Sequence, residues 1–154
     1  MTILVRTLAC GIAVFAGASI RPAHAQLEIG TWVRQPIPGM PAMTMTIEAC
    51  CNGGRRLTYH IVLEKTDMQM VLETRLDGAE VPVLVGGKPS AETMAIKRTD
   101  EYHASTVIKM NGALLGTNTA TLSADGQTLT VVNDFSTAAG GQQVGKFTEI
   151  WLRK

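Results

Sequence analysis

Charged residues are scarce in this sequence, and their scarcity excludes several classes of protein. Only 18% of the residues are charged, the formal net charge is +1 at pH 7, and like charges do not cluster along the chain. Nucleic-acid-binding surfaces and polybasic membrane patches both need clustered Lys and Arg. We therefore predict neither a nucleic-acid partner nor an electrostatic attachment to membranes.

Recognisable catalytic and cofactor motifs are also missing. The sequence has no nucleophile elbow, no zinc-binding HExxH, no glycine-rich phosphate loop and no catalytic triad order. Asp100-Glu101 is interpreted as part of a turn rather than as an acid/base pair. His60 and His103 are interpreted as surface residues, although a haem-binding barrel would use one His as an axial ligand. No cofactor is predicted, and a non-enzymatic protein is favoured.

A long apolar stretch occurs only at the start of the chain. Arg6 supplies a positive charge, residues 8–20 form an apolar core, and Ala23-His24-Ala25 is a small-x-small cleavage site. The core falls short of the ~20 residues that cross a bilayer, and no later segment reaches that length. We predict a signal-peptide helix over residues 1–25 and an exported domain, periplasmic or extracellular, over residues 26–154.

Two dipeptides that favour tight turns mark the centre of that domain. Asn111-Gly112 and Asp125-Gly126 each lie between runs rich in Thr, Val, Leu and Ile, and such pairs adopt the positive φ angles of type I′ turns. A two-residue loop at Asp125-Gly126 pairs Leu122 with Leu129 and puts threonines on the opposite face. The pattern predicts a half-buried β-hairpin. After Asn111-Gly112 the apolar residues change from one set of alternating positions to the other, and this shift predicts a bulge near Gly116.

Alternating apolar and polar residues predict further strands. Met43–Ala49 and Arg55–Glu64 share an apolar face if a three-residue loop, Asn52-Gly53-Gly54, joins them and pairs Met45 with Ile61. About ten strands and no helix follow residue 25, a spacing typical of closed antiparallel sheets. The predicted fold is all-β, a single antiparallel meander barrel of about 8–10 strands. A sandwich is the second choice.

One pair of strands surrounds Asp77-Gly78, which is predicted to be the loop that pairs Met70 with Val85. Pro82 cannot donate a backbone hydrogen bond, so its strand is predicted to lie at a sheet edge or to be kinked. Residues 86–90, which include two glycines and a proline, are predicted as a loop.

Short motifs in residues 26–154 resemble those of a known group. Gly30-Thr31-Trp32 opens the first strand and Arg153 ends the last, as in lipocalin-type (calycin) barrels, where a cation lies across the opening Trp. The segments LDGAEVPV, AIKRTD and TLSADGQTLTV follow in the order and spacing of small exported bacterial proteins of lipocalin-like type. The resemblance implies a barrel closed by Gly30, Trp32 and Arg153. It implies a fold and a compartment rather than an activity.

Cys50 and Cys51 depart from that group and are the cysteines that remain after residue 25. In an oxidising compartment two cysteines usually form one bond. Neighbouring Cα atoms lie about 3.8 Å apart, however, which is below the ~4.4 Å of relaxed disulfides. Separate thiols, a disulfide between neighbours in the turn, and a metal or redox role all stay open.

Sulfur is also concentrated just before these cysteines. Met40, Met43 and Met45 form a Met-x-x-Met-x-Met pattern, and soft sulfur ligands suit Cu(I). A periplasmic copper site built from Met40, Met43, Met45, Cys50 and Cys51 is therefore an alternative function. Alternation along a barrel strand explains the same spacing without a metal.

The inward face of the predicted barrel carries the favoured function. It collects aliphatic and thioether side chains with few charges, and barrels of about eight strands or more hold a small ligand. We predict that the interior binds a small apolar molecule through Met43, Met45, Ile47, Tyr59, Ile61, Met70 and Leu72. A structural or partner-binding module with a filled core is the remaining alternative, and no feature indicates the oligomeric state.

Overall fold

The structure, a computed structural model, describes residues 28–64, 66–136 and 144–154. The predicted signal-peptide helix over residues 1–25 lies outside the described residues. Within them the chain forms ten β-strands: β1 (Gly30–Arg34), β2 (Ala42–Cys50), β3 (Gly54–Val62), β4 (Asp67–Thr74), β5 (Asp77–Val85), β6 (Lys88–Arg98), β7 (His103–Met110), β8 (Ala113–Leu122), β9 (Thr128–Phe135) and β10 (Gly145–Arg153).

These strands form one closed antiparallel meander barrel. Each pairs with its neighbours in the chain, and β1 pairs with β10, so the sheet has no open edge. The predicted all-β barrel is confirmed, and the sandwich is wrong. We call the end at which β2, β4, β6, β8 and β10 finish the Trp32 end, because Trp32 of β1 is the Cα partner of Arg153 at the end of β10.

The β8–β9 hairpin has the predicted register. Leu122 pairs with Leu129 and Ala120 pairs with Val131. Both leucines are buried in the core, at 5% and 9% exposure, while the adjacent pair Thr121 and Thr130 lies on the other face. The turn chemistry is local, because Asp125 accepts hydrogen bonds from the residues around it. Here the sequence pattern and the tertiary structure agree.

The predicted bulge near Gly116 is present between β7 and β8. The register shifts between Ile108 and Lys109, Ile108 pairs with Gly116, and Leu115 becomes the extra residue. A Cβ on Gly116 would lie 2.7 Å from the backbone oxygen of Asp134, so the close approach of β9 requires glycine. The bulge turns Leu115 into the interior, where it is 2% exposed.

The predicted loop between β2 and β3 is wrong by one residue. The connection is residues 51–53 rather than 52–54, and it pairs Met45 with Tyr59 instead of Ile61. Gly54 belongs to β3, where a Cβ would lie 2.3 Å from the backbone oxygen of Thr74. Cys51 takes a φ of 51°, a conformation that is uncommon outside glycine. The loop length is as predicted, so both apolar sets still face the interior.

The predicted turn between β4 and β5 is also misplaced. It lies at Arg75-Leu76, where Leu76 has a φ of 59°, and Asp77 instead begins β5 and pairs with Lys97 of β6. The predicted pairing of Met70 with Val85 is confirmed, since it lies far from this turn.

The strand that contains Pro82 is irregular rather than at an edge. The β5–β6 register shifts between Pro82 and Leu84, where the proline has no N–H to donate. Because the sheet is closed, the kinked alternative is the correct one. The predicted loop over residues 86–90 shortens to Gly86-Gly87, since β6 already begins at Lys88.

A packed core fills the Trp32 end of the barrel. It is built from side chains close to the strand ends: Trp32, Met45, Ile47, Leu57, Leu72, Ile96, Leu122, Leu129 and Trp151. Trp32 and Leu72 are fully buried. Burial of such side chains stabilises a fold by about 1.5–3 kcal/mol each, so this cluster is the main source of stability at this end.

Arg153 lies across Trp32 at the same end. Its Cζ is 4.7 Å from the Trp32 ring centroid. The guanidinium donates hydrogen bonds to the backbone oxygens of Ile29 and Gly126, each at 2.7 Å. A Cβ on Gly30 would lie 2.8 Å from Arg153 Nη1, so glycine leaves room for the guanidinium. Arg153 thereby links the segment before β1 to the β8–β9 turn.

Candidate functional site

The barrel interior contains a cavity of about 690 Å³ whose lining includes residues at both ends of the barrel. Its wall is mostly apolar and comes from all ten strands, and it includes six residues of the core: Ile47, Leu57, Ile96, Leu122, Leu129 and Trp151. Small-molecule sites are typically cavities of about 300–1,000 Å³ with such linings. The volume is therefore adequate for a small ligand.

Six of the seven predicted ligand-binding residues line this cavity: Met43, Met45, Ile47, Tyr59, Ile61 and Met70. The seventh, Leu72, lies outside the lining and is fully buried in the core. Its side chain points inward from β4, as predicted, but it lies close to the Trp32 end, where side chains fill the barrel. Alternation along a strand predicts which side chains face inward, but not how far the packed core extends.

Every methionine of the described residues lines the cavity: Met40, Met43, Met45, Met68, Met70, Met94 and Met110. These residues come from β2, β4, β6, β7 and the segment before β2. Methionine is unbranched and polarisable, so its side chain adapts to irregular apolar shapes. Such a wall can adapt to apolar ligands of different shapes, because the methionine side chains rather than the backbone form the contact surface.

The sulfur residues proposed as a copper site do not come together. Met40, Met43 and Met45 line the cavity, whereas Cys50 and Cys51 lie at the β2–β3 connection. An extended strand rises about 3.3 Å per residue, so Met43 and Cys50 are separated by about 20 Å along β2. The two sets of sulfur atoms therefore cannot share one metal ion.

Cys50 and Cys51 form a disulfide with each other. Of the alternatives that the sequence left open, the structure has the bond between neighbours. Cys51 Sγ lies 3.5 Å from Glu73 Oε2, and these three residues are the one group of three or more His, Cys, Asp or Glu side chains close enough to share a metal ion among the described residues. The thiolate is the form of cysteine that binds metals, and a disulfide contains none.

Both histidines considered for haem are exposed, although His103 also belongs to the cavity lining. His60 is exposed on the outer face of β3, with Nε2 3.7 Å from Asp67. His103 starts β7 at the Trp32 end, and its Nδ1 lies 2.8 Å from Asp100 Oδ1. The hydrogen bonds of this turn, from the backbone N–H of Tyr102 first and then from His103, lower the pKa of Asp100.

An ion pair and a phenol form the polar part of the cavity wall. Arg34 Nη1 donates to Glu149 Oε1 at 2.7 Å, and Trp151 Nε1 donates to the other oxygen at 3.3 Å. Burial raises the pKa of the Tyr59 hydroxyl, and the charges of Glu149 and Glu92 raise it further. The phenol is therefore un-ionised and available for hydrogen bonding.

Two polar atoms in this wall have no hydrogen-bond partner. Among the described residues, the buried side-chain atoms without a partner are Glu92 Oε1 and Asn133 Nδ2. Both residues line the cavity, and they are only 9% and 4% exposed. Burial raises the pKa of Glu92. An unsatisfied buried group costs about 1–3 kcal/mol, so its retention calls for a reason.

Sequence reasoning missed Arg34, Glu92, Asn133 and Glu149, although the sequence contains a signal for each. All four occupy the inward phase of a strand: Arg34 follows Trp32 by two residues, and Glu149 precedes Trp151 by two. A polar residue at an otherwise apolar, inward position is unusual enough to mark a functional candidate.

A second buried ionic cluster closes the Trp32 end. Glu28 Oε1 accepts hydrogen bonds from Arg55 Nε at 2.7 Å and from Arg98, and Arg55 Nη2 lies 2.7 Å from the same oxygen as an ion-pair contact. Trp32 Nε1 donates to the backbone oxygen of Glu28 at 2.9 Å. Burial raises the pKa of Glu28, but the hydrogen bonds and the charge of Arg98 outweigh it and lower the pKa below its usual value.

Replacing Glu28 with Gln is expected to lower the free energy of unfolding by about 1–3 kcal/mol at neutral pH. The folded-state pKa of Glu28 lies below the unfolded one, so ionised Glu28 contributes stability that is lost as the pH falls through the folded-state pKa. The variant should therefore lose less stability on acidification than the wild type. Urea unfolding at neutral and acidic pH measures both effects. The exposed Glu48→Gln is the control, and an equal effect there would contradict the assignment.

Comparison with models of protein families finds no match for this chain, and comparison with curated proteins finds none either. Among the described residues, no helix has the length and apolar character needed to span a membrane. With no matching family or curated protein, the function is inferred from the cavity of the closed ten-stranded barrel.

Proposed function

We propose that this protein is a non-enzymatic, exported β-barrel that binds a small hydrophobic molecule in its interior. One observation carries the proposal: a cavity of about 690 Å³ whose wall is mainly aliphatic and thioether side chains. Binding sites for small molecules combine such an apolar wall with a few placed polar groups. Here the polar groups are the Arg34–Glu149 pair and the Tyr59 hydroxyl.

The size of the cavity favours this function over a module with a filled core. A close-packed interior contains few voids larger than a water molecule. The cavity is lined on many sides by flexible methionines, which could have closed on one another if filling were the only role. The separation of the cysteines from the methionines removes the motive for the copper alternative.

Export is supported by two features of the chain. The leader-like pattern of residues 1–25 predicts removal of a signal peptide. Disulfides persist in oxidising compartments and are rare in the cytosol, so the Cys50–Cys51 bond agrees with an exported protein. The resemblance to lipocalin-like exported proteins points the same way.

The proposal is tested by extracting the purified protein with organic solvent and identifying what is released by mass spectrometry. We expect a small apolar compound in an amount that scales with the protein. Protein recovered without one should bind N-phenylnaphthylamine, a neutral apolar dye, with a blue-shifted emission. Protein that carries nothing and does not bind the dye would overturn the proposal. Protein unfolded in urea is the control for unspecific adsorption.

A further inference from the structure

The two unpaired polar atoms narrow the chemistry of the occupant, on the basis of the proposed binding function. Glu92 lies on β6 and Asn133 on β9, so they face the cavity from different parts of its wall. Asn133 also belongs to a row of uncharged polar residues, since it pairs with Asn118, which pairs with Thr106, and all three line the cavity. The wall therefore offers hydrogen bonds as well as apolar contact.

Among the residues that the structure describes, no unpaired cation lines the cavity to meet an anionic head group. The cationic and potentially cationic side chains in the lining are Arg34, Arg55, Arg98 and His103. Arg34 is paired with Glu149, the other two arginines with Glu28, and His103 with Asp100. A carboxylate brought into the cavity would also approach the carboxyl groups of Glu92 and Glu149. Burying an unpaired charge is costly, so fatty-acid anions are disfavoured.

A cationic head group could provide a hydrogen-bond partner for Glu92 Oε1 but not for Asn133 Nδ2. An ammonium group could donate to Glu92, but it has no acceptor for Asn133 Nδ2. It would also have to leave water for a largely apolar cavity, and pairing often fails to repay that cost. Burial raises the pKa of Glu92, which favours its neutral form and weakens the attraction for a cation further.

An uncharged group that both donates and accepts hydrogen bonds suits both atoms. A hydroxyl has one donor and two acceptor lone pairs, and it can be buried without the cost of a charge. We propose that the occupant is a neutral, largely apolar molecule that carries hydroxyl groups, held by Glu92 and Asn133. Binding then satisfies two atoms that lack partners within the described protein.

Three probes that share one chain length and differ in the head group test this inference: decanol, decylamine and decanoate. Each is titrated at neutral pH against the protein loaded with N-phenylnaphthylamine, and displacement of the dye is measured. Decanol should displace the dye at a concentration about fivefold or more below the other two, the effect of roughly one hydrogen bond. Equal or tighter binding of decanoate or decylamine would overturn the inference.

Variants of the two polar residues supply the second measurement. Decanol has a single hydroxyl, so the Leu variant of whichever residue binds that hydroxyl, Glu92→Leu or Asn133→Leu, should weaken decanol binding about fivefold, and both variants should leave dye binding unchanged. Glu92→Gln keeps an oxygen acceptor at a similar volume and should retain decanol binding, which makes it the matched control. Decanol affinity unchanged in both Leu variants would contradict the assignment.

The stability of these variants separates a binding role from a structural one. Replacing an unsatisfied buried polar group with an apolar one of similar shape is neutral or stabilising. Thermal unfolding of ligand-free Glu92→Leu should therefore occur at the wild-type temperature or above it, and a lower midpoint would show that Glu92 supports the fold. If the dye fails to bind the wild type, the proposed function itself fails. If the dye binds and no head group is preferred, only this inference fails.

Discussion

Replacing Trp32 with Ala is expected to lower the free energy of unfolding by about 3–5 kcal/mol. The side chain is fully buried in the core and its ring carries the guanidinium of Arg153 at 4.7 Å. Its indole N–H also donates to Glu28, so the substitution opens a void and loosens the segment before β1. The free energy of unfolding of a small domain is about 5–15 kcal/mol, so this loss should leave the variant only marginally stable. Urea unfolding followed by circular dichroism measures the change.

The neighbouring residue provides the matched control. Val33 follows Trp32 in β1 but points outward and is 39% exposed. Val33→Ala should therefore change the free energy of unfolding by about 0.5 kcal/mol or less. Similar losses of unfolding free energy for the two variants would contradict a packed core at the Trp32 end and a stabilising role for Trp32 in closing the barrel.

Replacing Ala120 with Trp is expected to weaken binding of an apolar dye by about tenfold or more, equivalent to about 1.4 kcal/mol. Ala120 lies on β8 and lines the cavity, which is large enough to admit an indole without displacing the backbone. The added ring would occupy volume that a ligand needs. Because the cavity receives the ring, the usual cost of overpacking a filled core should be small. Dye titration and thermal unfolding together measure both effects.

Thr119→Trp is the control for that substitution. Thr119 precedes Ala120 in β8 and is exposed on the outer face of the barrel. The same ring placed there should leave dye affinity unchanged. Dye binding that survives in Ala120→Trp, or is lost equally in both variants, would place the dye outside the cavity.

Alternation of residues was sufficient to predict most of the fold. Period-two patterns in β2, β3 and β9 predicted which side chains face inward, since a strand side chain has only two directions to point. The bulge near Gly116 could be predicted as well, because the apolar phase changes there. The closed sheet followed from the number and the spacing of the strands.

Turn positions were harder to predict, because tertiary contacts override local preference. Asp77-Gly78 is a favourable turn sequence, yet Asp77 pairs with β6 and the turn moves to Leu76, which adopts a positive φ. A leucine in that conformation is disfavoured locally, so no local rule selects it. At β2–β3 the close approach of Thr74 to Gly54 decides the position, and Thr74 belongs to the following hairpin rather than to the turn itself.

The polar part of the site depends on contacts of the same kind. Arg34 and Glu149 are 115 residues apart in the chain and meet only because β1 closes against β10. The sequence marks each as a polar residue at an inward position but does not pair them. For Leu72 the difficulty is different. The alternation along β4 predicts that its side chain points inward, but it does not predict that the side chain packs in the same core cluster as Trp32.

Quenching of tryptophan emission during titration with N-phenylnaphthylamine tests most directly whether the interior is a ligand site. Trp151 lines the cavity, so a dye bound inside lies close enough to accept its excitation energy. We predict saturable quenching with a single dye per chain, reversed by decanol and weakened by Ala120→Trp. Quenching that does not saturate, or that Ala120→Trp leaves unchanged, would contradict an interior binding site.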